Sequence, residues 1–458
     1  MTIISKNPTT GETIGRFEEN TPAEVEQKLA TAASAFQHHR RSSLLERAER
    51  MHRVAELLRA GRPRLARMMT EEMGKTLKSA GAEVEKCASC CEHYAQHTGH
   101  YLQDRPLHID GVRAYVHHLP LGALLAVMPW NFPFWQVIRF AAPALMAGNV
   151  ALLKHASNVP RCALSLEELF RSAGFEPGVF QTLLIGSRRV ASVIEDDRVA
   201  AVTLTGSEAA GVEVAGLAGR KLKKTVLELG GSDPFIVMPS ADLDAAVEAA
   251  VAARHINNGQ SCIAAKRFIV HHTIYADFER RFVERVAALR VGDPTLEETD
   301  VGPLATEAGL QEVATQVQQS VAAGARLLLG GKRLARPGNF YAPTVLSEIP
   351  DRAPVYRDEV FGPVSLLFAA QDIEAAIALA NDSPFGLGSS VWTRDADEQQ
   401  RFIDDLEAGQ TFVNAMVASD PRVPFGGIKR SGHGRELGGL GMREFVNAKS
   451  VVVRYPEA

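Results

Sequence analysis

An α/β protein of two or three domains, with a doubly wound parallel sheet in its first half, is what this sequence predicts. Three observations lead there. The chain has 458 residues, too many for one hydrophobic core. Over 122–231, short apolar runs alternate with helical segments. A second alternation of the same kind follows Gly231. Charged residues make up 23% and hydrophobic ones 46%, the balance of an ordinary globular protein. A net charge of -4 and a pI near 6.4 speak against nucleic acid or a membrane surface as partner. The first residues show no apolar core behind a basic region, so no secretory signal is expected. A membrane span needs a run of about 18 apolar residues, and none occurs. The five cysteines, Cys87, Cys90, Cys91, Cys162 and Cys262, are odd in number and sparse. A disulfide framework is not expected from them, and a reducing cytoplasm is.

Taken in order, Asn7-Pro8-Thr9-Thr10-Gly11-Glu12 predicts a turn between two short strands. At Thr21 a helical pattern begins, with Pro22 at the first helical position and Glu24 placed for a capping box. Helices continue to about residue 103. Cys87, Cys90 and Cys91, with His93 and His97 nearby, suggest metal ligands. They share one helical stretch without a second ligand pair, so a packed helix face is expected and no metal site. Val112, Ala114 and Val116 alternate with Arg113, Tyr115 and His117, which predicts an extended ribbon needing a partner surface. The apolar runs at 123–128, 150–153, 180–184 and 200–204 read as buried parallel strands joined by crossover helices. Beyond Gly231, strands are expected near 234–237, 267–270 and 364–368, and helices near 242–254, 276–289 and 307–322. The tail Lys449-Ser450-Val451-Val452-Val453-Arg454-Tyr455 reads as an edge strand added to a neighbouring subunit.

The chemistry centres on Asn257-Asn258-Gly259-Gln260-Ser261-Cys262-Ile263. A thiol reacts as its thiolate and needs an accessible, polarised setting. Taken alone, Cys262 reads as one more small buried hydrophobe. Two other stretches change that, Glu228-Leu229-Gly230-Gly231 and Pro129-Trp130-Asn131-Phe132-Pro133. Thiolate attack on an aldehyde makes an alkoxide whose oxygen needs donors already in place. The Asn131 amide and the Cys262 backbone N–H supply them; otherwise Asn131 is a turn residue between prolines. Hydrolysis of the resulting thioester needs a base for water. Glu228 closes the apolar run Val226-Leu227, where partial desolvation raises a carboxyl pKa. Otherwise it is a surface Glu at a strand end. The two glycines after it predict close backbone approach. A hydride acceptor must also bind, yet no Gly-x-Gly-x-x-Gly fingerprint is present. Instead Thr203-Leu204-Thr205-Gly206-Ser207-Glu208-Ala209-Ala210-Gly211 follows an apolar strand and opens a helix, where a phosphate can sit. Lys154 falls at a strand's carboxyl end.

In combination these stretches resemble the aldehyde dehydrogenase superfamily over nearly the whole chain. Pro129-Trp130-Asn131-Phe132-Pro133 matches its motif letter for letter. Glu71-Glu72-Met73-Gly74-Lys75-Thr76 upstream of it, and Asp358-Glu359-Val360-Phe361-Gly362-Pro363, Pro424-Phe425-Gly426-Gly427-Ile428-Lys429-Arg430-Ser431-Gly432 and Gly434-Arg435-Glu436 downstream, also resemble family stretches. The resemblance implies a Rossmann-type cofactor domain at 1–105 and 122–231 and an α/β catalytic domain at 232–430. A small β oligomerisation arm at 106–121 and 431–458 completes it, in a homodimer or dimer of dimers. It implies NAD(P)-dependent oxidation of an aldehyde to the free acid through a Cys262 thiohemiacetal and thioester, with Glu228 and Asn131. For the coenzyme it implies Trp130, Lys154, Ser157, Gly206, Ser207, Gly211 and Leu229. Glu359 would hold the nicotinamide ribose and Phe361 would border the nicotinamide. For the substrate it implies Arg139, Ser419 and Phe425.

The N-terminus and Lys154-His155-Ala156-Ser157-Asn158-Val159-Pro160 look most like the short bacterial succinate-semialdehyde dehydrogenase branch. Arg139 and Ser419 match its carboxylate pocket, while a further arginine usual there falls on Ile256. The resemblance therefore implies short ω-carboxylated aldehydes, succinate semialdehyde first, with a broader range of small aldehydes as the alternative. Where NAD-preferring members carry a Glu, this chain has Ser157, which does not repel a 2′-phosphate; NADP is expected, with Lys154 supplying charge and Arg161 a secondary helper. A cofactor-free cysteine hydrolase, an acylating enzyme using coenzyme A and a non-catalytic structural protein are the competing classes. The acylating class characteristically lacks the Glu base that Glu228 supplies here.

Overall fold

The computed structural model describes residues 2–454. Two mostly parallel sheets and a small antiparallel one form its frame. The first sheet runs through Gly432–His433, Lys224–Glu228, Val199–Thr205, Ala123–Met128, Val150–His155 and Phe180–Thr182. Only Gly432–His433 is antiparallel to its neighbour. The chain leaves Ala123–Met128 for Val150–His155 on one side and returns to Val199–Thr205 on the other. At such a reversal a crevice opens beyond the strands' carboxyl ends. All the apolar runs expected to be strands here are strands, and they are buried nearly throughout, as a sheet covered on both faces requires.

The second sheet runs Arg326–Leu329, Thr344–Ser347, Val364–Ala370, Ala265–His271, Asp233–Val237, Ser389–Trp392 and Thr411–Val413. The first, second, sixth and seventh of these were not expected. Each has only three or four residues, too few for an alternation to stand out. The third sheet pairs Arg113–Pro120 with both Arg105–Leu107 and Val446–Val453. The expected tail strand includes Tyr455, which lies outside the described residues. Of the span expected to form the arm at 431–458, the described part divides between two sheets: Gly432–His433 joins the first, while Val446–Val453 runs with the ribbon. Ser431 anchors the first of these. Its carbonyl accepts from Leu229 N at 2.9 Å and its hydroxyl donates to Gly230 O at 2.6 Å, which ties this stretch to the end of Lys224–Glu228.

The motif Glu71-Glu72-Met73-Gly74-Lys75-Thr76 holds the frame together. Glu72 accepts from Arg161 N and Cys162 N at 3.0 Å each, capping helix Pro160–Ser172, which has no side-chain cap of its own. Buried Lys75 pairs with buried Glu83. The other Glu83 oxygen accepts from Phe134 N and Trp135 N at 2.9 Å and so caps helix Trp135–Met146. Thr76 caps helix Leu77–Tyr101, and the capping box expected at Thr21 is present. Two buried carboxylates thus set where the helices after Ala123–Met128 and Val150–His155 begin, and with them the loops that face the crevice. Cys87, Cys90 and Cys91 lie on the buried face of Leu77–Tyr101, within the first sheet's core. Among the described residues, no group of three or more His, Cys, Asp or Glu side chains is placed to hold a metal. No helix among them is long and apolar enough to cross a membrane.

Candidate active site

Cys262 follows three successive left-handed residues, Asn257, Asn258 and Gly259, with φ of 54°, 59° and 76°. Two of them are not glycine, and side-chain bonds hold them there. Asn258 Nδ2 donates to Gly74 O at 2.9 Å and Pro303 O at 3.1 Å, and its Oδ1 accepts from Gly302 N at 2.8 Å. Asn257 Nδ2 donates to Asn131 O at 2.7 Å and Gln260 O at 3.0 Å. Below the turn, buried Lys266 donates to Ser261 O at 2.8 Å and Cys262 O at 2.6 Å, and it pairs with Glu359 at 3.3 Å. Glu359 in turn accepts from Gly231 N at 3.1 Å. The paired glycines now have their reason. A Cβ on Gly230 would stand 2.6 Å from Glu359 Oε2, and one on Gly231 would stand 2.7 Å from Cys262 O.

Among the described residues, Cys262 alone lines both of two adjoining cavities. The larger, of about 1130 Å³, opens at the carboxyl ends of the first sheet and is walled by Trp130, Asn131, Gly206, Leu229, Glu359 and Phe361. Ser207, which lines it too, caps helix Glu208–Arg220. The Trp130 and Phe361 rings meet edge to face at 5.7 Å. The smaller, of about 730 Å³, lies between helix Leu77–Tyr101, helix Trp135–Met146 and the stretch around Ser419. Arg139, Ser419 and Phe425 line it together with Phe132, Trp135 and Lys86.

Some expected residues fall elsewhere. Lys154 and Ser157 lie at the carboxyl end of Val150–His155, one strand further out on the same sheet edge, and Ser157 is exposed. Arg161 is paired with Glu71 at 2.7 Å, so its charge is already balanced. Gly211 sits beneath Leu229, where a Cβ would come within 2.7 Å of that side chain. Glu228 is 2% exposed and lines neither cavity. Its carboxyl lies against Gly426, whose Cβ would stand 2.6 Å from Oε1, and neither oxygen has a hydrogen-bond partner among the described residues.

Charge is arranged around these atoms. Burial pushes the Cys262 thiol up to about 12, against the pull of Arg139 and Lys266. Burial, and then the neighbouring Glu436 carboxyl, hold Glu228 well above the usual carboxylate range. Glu436 forms an ion pair with Arg139, and both are buried. The Arg139 guanidinium also packs over the Phe425 ring at 4.6 Å and donates to Thr205 Oγ1 at 3.3 Å. Asn131 Nδ2 gives one hydrogen to Gln260 O at 3.2 Å and has a second to offer. Such a set can add a thiol to a carbonyl, hold the developing oxyanion and draw a proton from water.

Lys86 and Lys266 were not expected at the site. The signal for Lys266 was two charges, Lys266 and Arg267, inside an otherwise apolar strand. No pattern marks Lys86 among the other charges of helix Leu77–Tyr101.

A sequence model described as the aldehyde dehydrogenase family matches residues 1–451. A Mycobacterium tuberculosis protein named succinate-semialdehyde dehydrogenase (NADP(+)) 1 is 57% identical over 454 residues, 98% of this chain and 99% of that one. A Synechocystis protein named probable succinate-semialdehyde dehydrogenase (NADP(+)) is 54% identical over 451 residues, with 98% and 99% covered. The solved structure of succinic semialdehyde dehydrogenase from Streptococcus pyogenes in complex with NADP+ superposes with a TM-score of 0.97 at 38% identity, covering 99% of this chain and 100% of that one.

Proposed function

The chain belongs to the aldehyde dehydrogenase family, and we propose that within it the protein oxidises succinate semialdehyde to succinate with NADP. One observation carries the reading. A single thiol joins a crevice at the carboxyl ends of a doubly wound sheet to a second cavity walled by cationic and hydroxyl groups. The first suits a dinucleotide and the second a short aldehyde ending in a carboxylate. The names carried by the relatives agree with both.

In this reading Cys262 adds to the aldehyde carbon. Burial holds its thiol above the ordinary range, so its proton passes to water in the adjoining crevice as the C–S bond forms. The free hydrogen of Asn131 Nδ2 and the Cys262 N–H meet the oxyanion. A nicotinamide coenzyme bound there would supply the hydride acceptor for the thiohemiacetal carbon. Trp130, Phe361, Ser207 and Glu359 fit it: aromatic walls, a helix start and a carboxylate fixed by Lys266. Glu228 then deprotonates the water that cleaves the thioester, after a side-chain rotation that breaks no hydrogen bond to a described residue.

The first sheet would carry the coenzyme and the second the Cys262 loop. The ribbon Arg113–Pro120 with Val446–Val453 would pair with a second copy, giving a homodimer or a dimer of dimers. All five cysteines are free thiols, which suits the cytoplasm.

The test of the substrate is kcat/KM for succinate semialdehyde against butanal, an uncharged aldehyde of equal length. The former is expected to be roughly 100-fold higher, and equal values remove the carboxylate pocket. The coenzyme reading rests on Ser157 and its place on the sheet edge beside Lys154. Ser157→Glu is expected to weaken NADP relative to NAD by on the order of 1–3 kcal/mol, the repulsion of one added carboxylate. An equal effect on both coenzymes means that another residue makes the choice.

A further inference from the structure

Lys266 is fully buried and lines neither cavity. It is the second residue of strand Ala265–His271, inside the second sheet. The pairing with Asp233–Val237 shifts register there. Asp233 faces Ala265 and Pro234 faces Arg267, so Lys266 has no opposite number on that strand. Irregularities of this kind re-aim a side chain beside an active site. The Lys266 ammonium reaches back to the turn that carries Cys262, where it donates to Ser261 O at 2.8 Å and Cys262 O at 2.6 Å.

Those carbonyls belong to the two peptide groups on either side of the Cys262 Cα. Ser261 C=O and Cys262 N–H share one planar trans peptide, in which the N–H points opposite to the C=O. Ser261 O accepts from Ala264 N at 3.1 Å as well as from Lys266, so both its lone pairs are engaged. At the other edge of the same plane, Cys262 N–H has no partner among the described residues. A cation on the carbonyl side therefore settles where the free N–H points. It also draws electron density from the amide, which makes that N–H a stronger donor. The charge is sustained at depth. Burial lowers the Lys266 pKa, while Glu359 at 3.3 Å, and then Asp233, raise it.

We propose that Lys266 is a positioning residue of the oxyanion site: by holding the Ser261 and Cys262 carbonyls it aims and polarises the Cys262 N–H, which with Asn131 Nδ2 receives the negative oxygen. This deepens the reading of the site above and rests on Cys262 and Asn131 in their proposed roles. Glu359 ties the same cation to the larger cavity, so one buried charge serves the nucleophile's turn and the crevice beside it.

The experiment needs no coenzyme and compares two reactions of one thiol. p-Nitrophenyl acetate acylates Cys262: the C–S bond forms, the carbonyl pair moves onto oxygen, and it returns as p-nitrophenolate leaves. Iodoacetamide alkylates it: the C–S bond forms as iodide departs, and no oxyanion arises. Both rates scale with the thiolate fraction, so the ratio of first-turnover acylation to alkylation at one pH reads the oxyanion site alone. The background of Cys262→Ala is subtracted from each. Lys266→Met is expected to lower the ratio roughly 10- to 100-fold, less than the loss of a whole oxyanion donor. The substitution also strips Asp233 of its compensating charge, and burial already pushes that carboxyl up to about 7. Should Lys266→Met fail to fold, the charge-balanced Lys266→Met/Asp233→Asn variant is compared with Asp233→Asn, and the same drop is expected. A common slowing of both reactions puts the effect of Lys266 on the thiol's charge and overturns the proposal; so does an unchanged rate for each. Asn131→Ala separates this from the reading beneath it. If Asn131→Ala lowers the ratio and removal of Lys266 does not, the assignment of Lys266 alone falls. If Asn131→Ala leaves the ratio unchanged, the oxyanion site itself falls first.

Discussion

Cys262→Ala abolishes aldehyde oxidation and leaves NADP binding in place. Alanine offers no atom that can bond to the aldehyde carbon, and the rest of the machinery acts only on what that bond creates. The expected loss in kcat is on the order of 10⁴-fold or more, as for other enzymes stripped of their nucleophile. Folding should hardly notice the change. Cys262 is half-buried, lines open space on two sides and, among the described residues, makes no side-chain hydrogen bond. Calorimetric titration with NADP separates the two contributions, since Trp130, Ser207, Glu359 and Phe361, the walls proposed for the coenzyme, are unchanged. Turnover within about tenfold of the parent enzyme would remove Cys262 from the mechanism.

Glu228→Gln gives a burst. Addition and hydride loss proceed and release about one NADPH per active site, after which the enzyme waits as the thioester. Steady-state turnover is expected to fall roughly 10²- to 10⁴-fold, the usual worth of a positioned base. Geometry adds a second signature. Burial beside Glu436 holds the Glu228 carboxyl well above the ordinary carboxylate range. Only the ionised form can take a proton, so deacylation in the parent enzyme rises with pH through that elevated pKa. The glutamine variant loses this limb. Rapid-mixing absorbance at the nicotinamide band, followed across pH, reads both effects. A variant with no burst and unchanged turnover excludes Glu228 as the base. Rescue by coenzyme A, but not by water, would instead place the enzyme in the acylating class.

The candidate reacting groups were legible in the sequence because their cues are local. A cysteine on a glycine-containing turn, an amide between prolines and a glutamate before two glycines each carry a reactive group and a backbone cue within a few residues. The apolar runs of the first sheet were legible for a similar reason. Buried parallel strands need continuous hydrophobic stretches, and 123–128 or 150–153 can be little else. The short strands Ser389–Trp392 and Thr411–Val413 lacked that length. The glycines after Glu228 announced a close approach, though not that Glu359 and the Cys262 carbonyl would be what approaches.

By itself, then, the sequence determined the α/β scaffold and pointed to Cys262, Asn131 and Glu228 as the candidate nucleophile, amide donor and base. Which charges remain active was decided only by the tertiary structure. Arg139 carries the same charge as Lys86, but it is paired with Glu436, nearly 300 residues further along. Glu83 and Lys75 cancel each other inside the helical layer. Lys86 meets only a hydroxyl and an aromatic face. Coulombic pairing depends on distance and desolvation in space, and a linear sequence gives neither for residues that lie far apart along it.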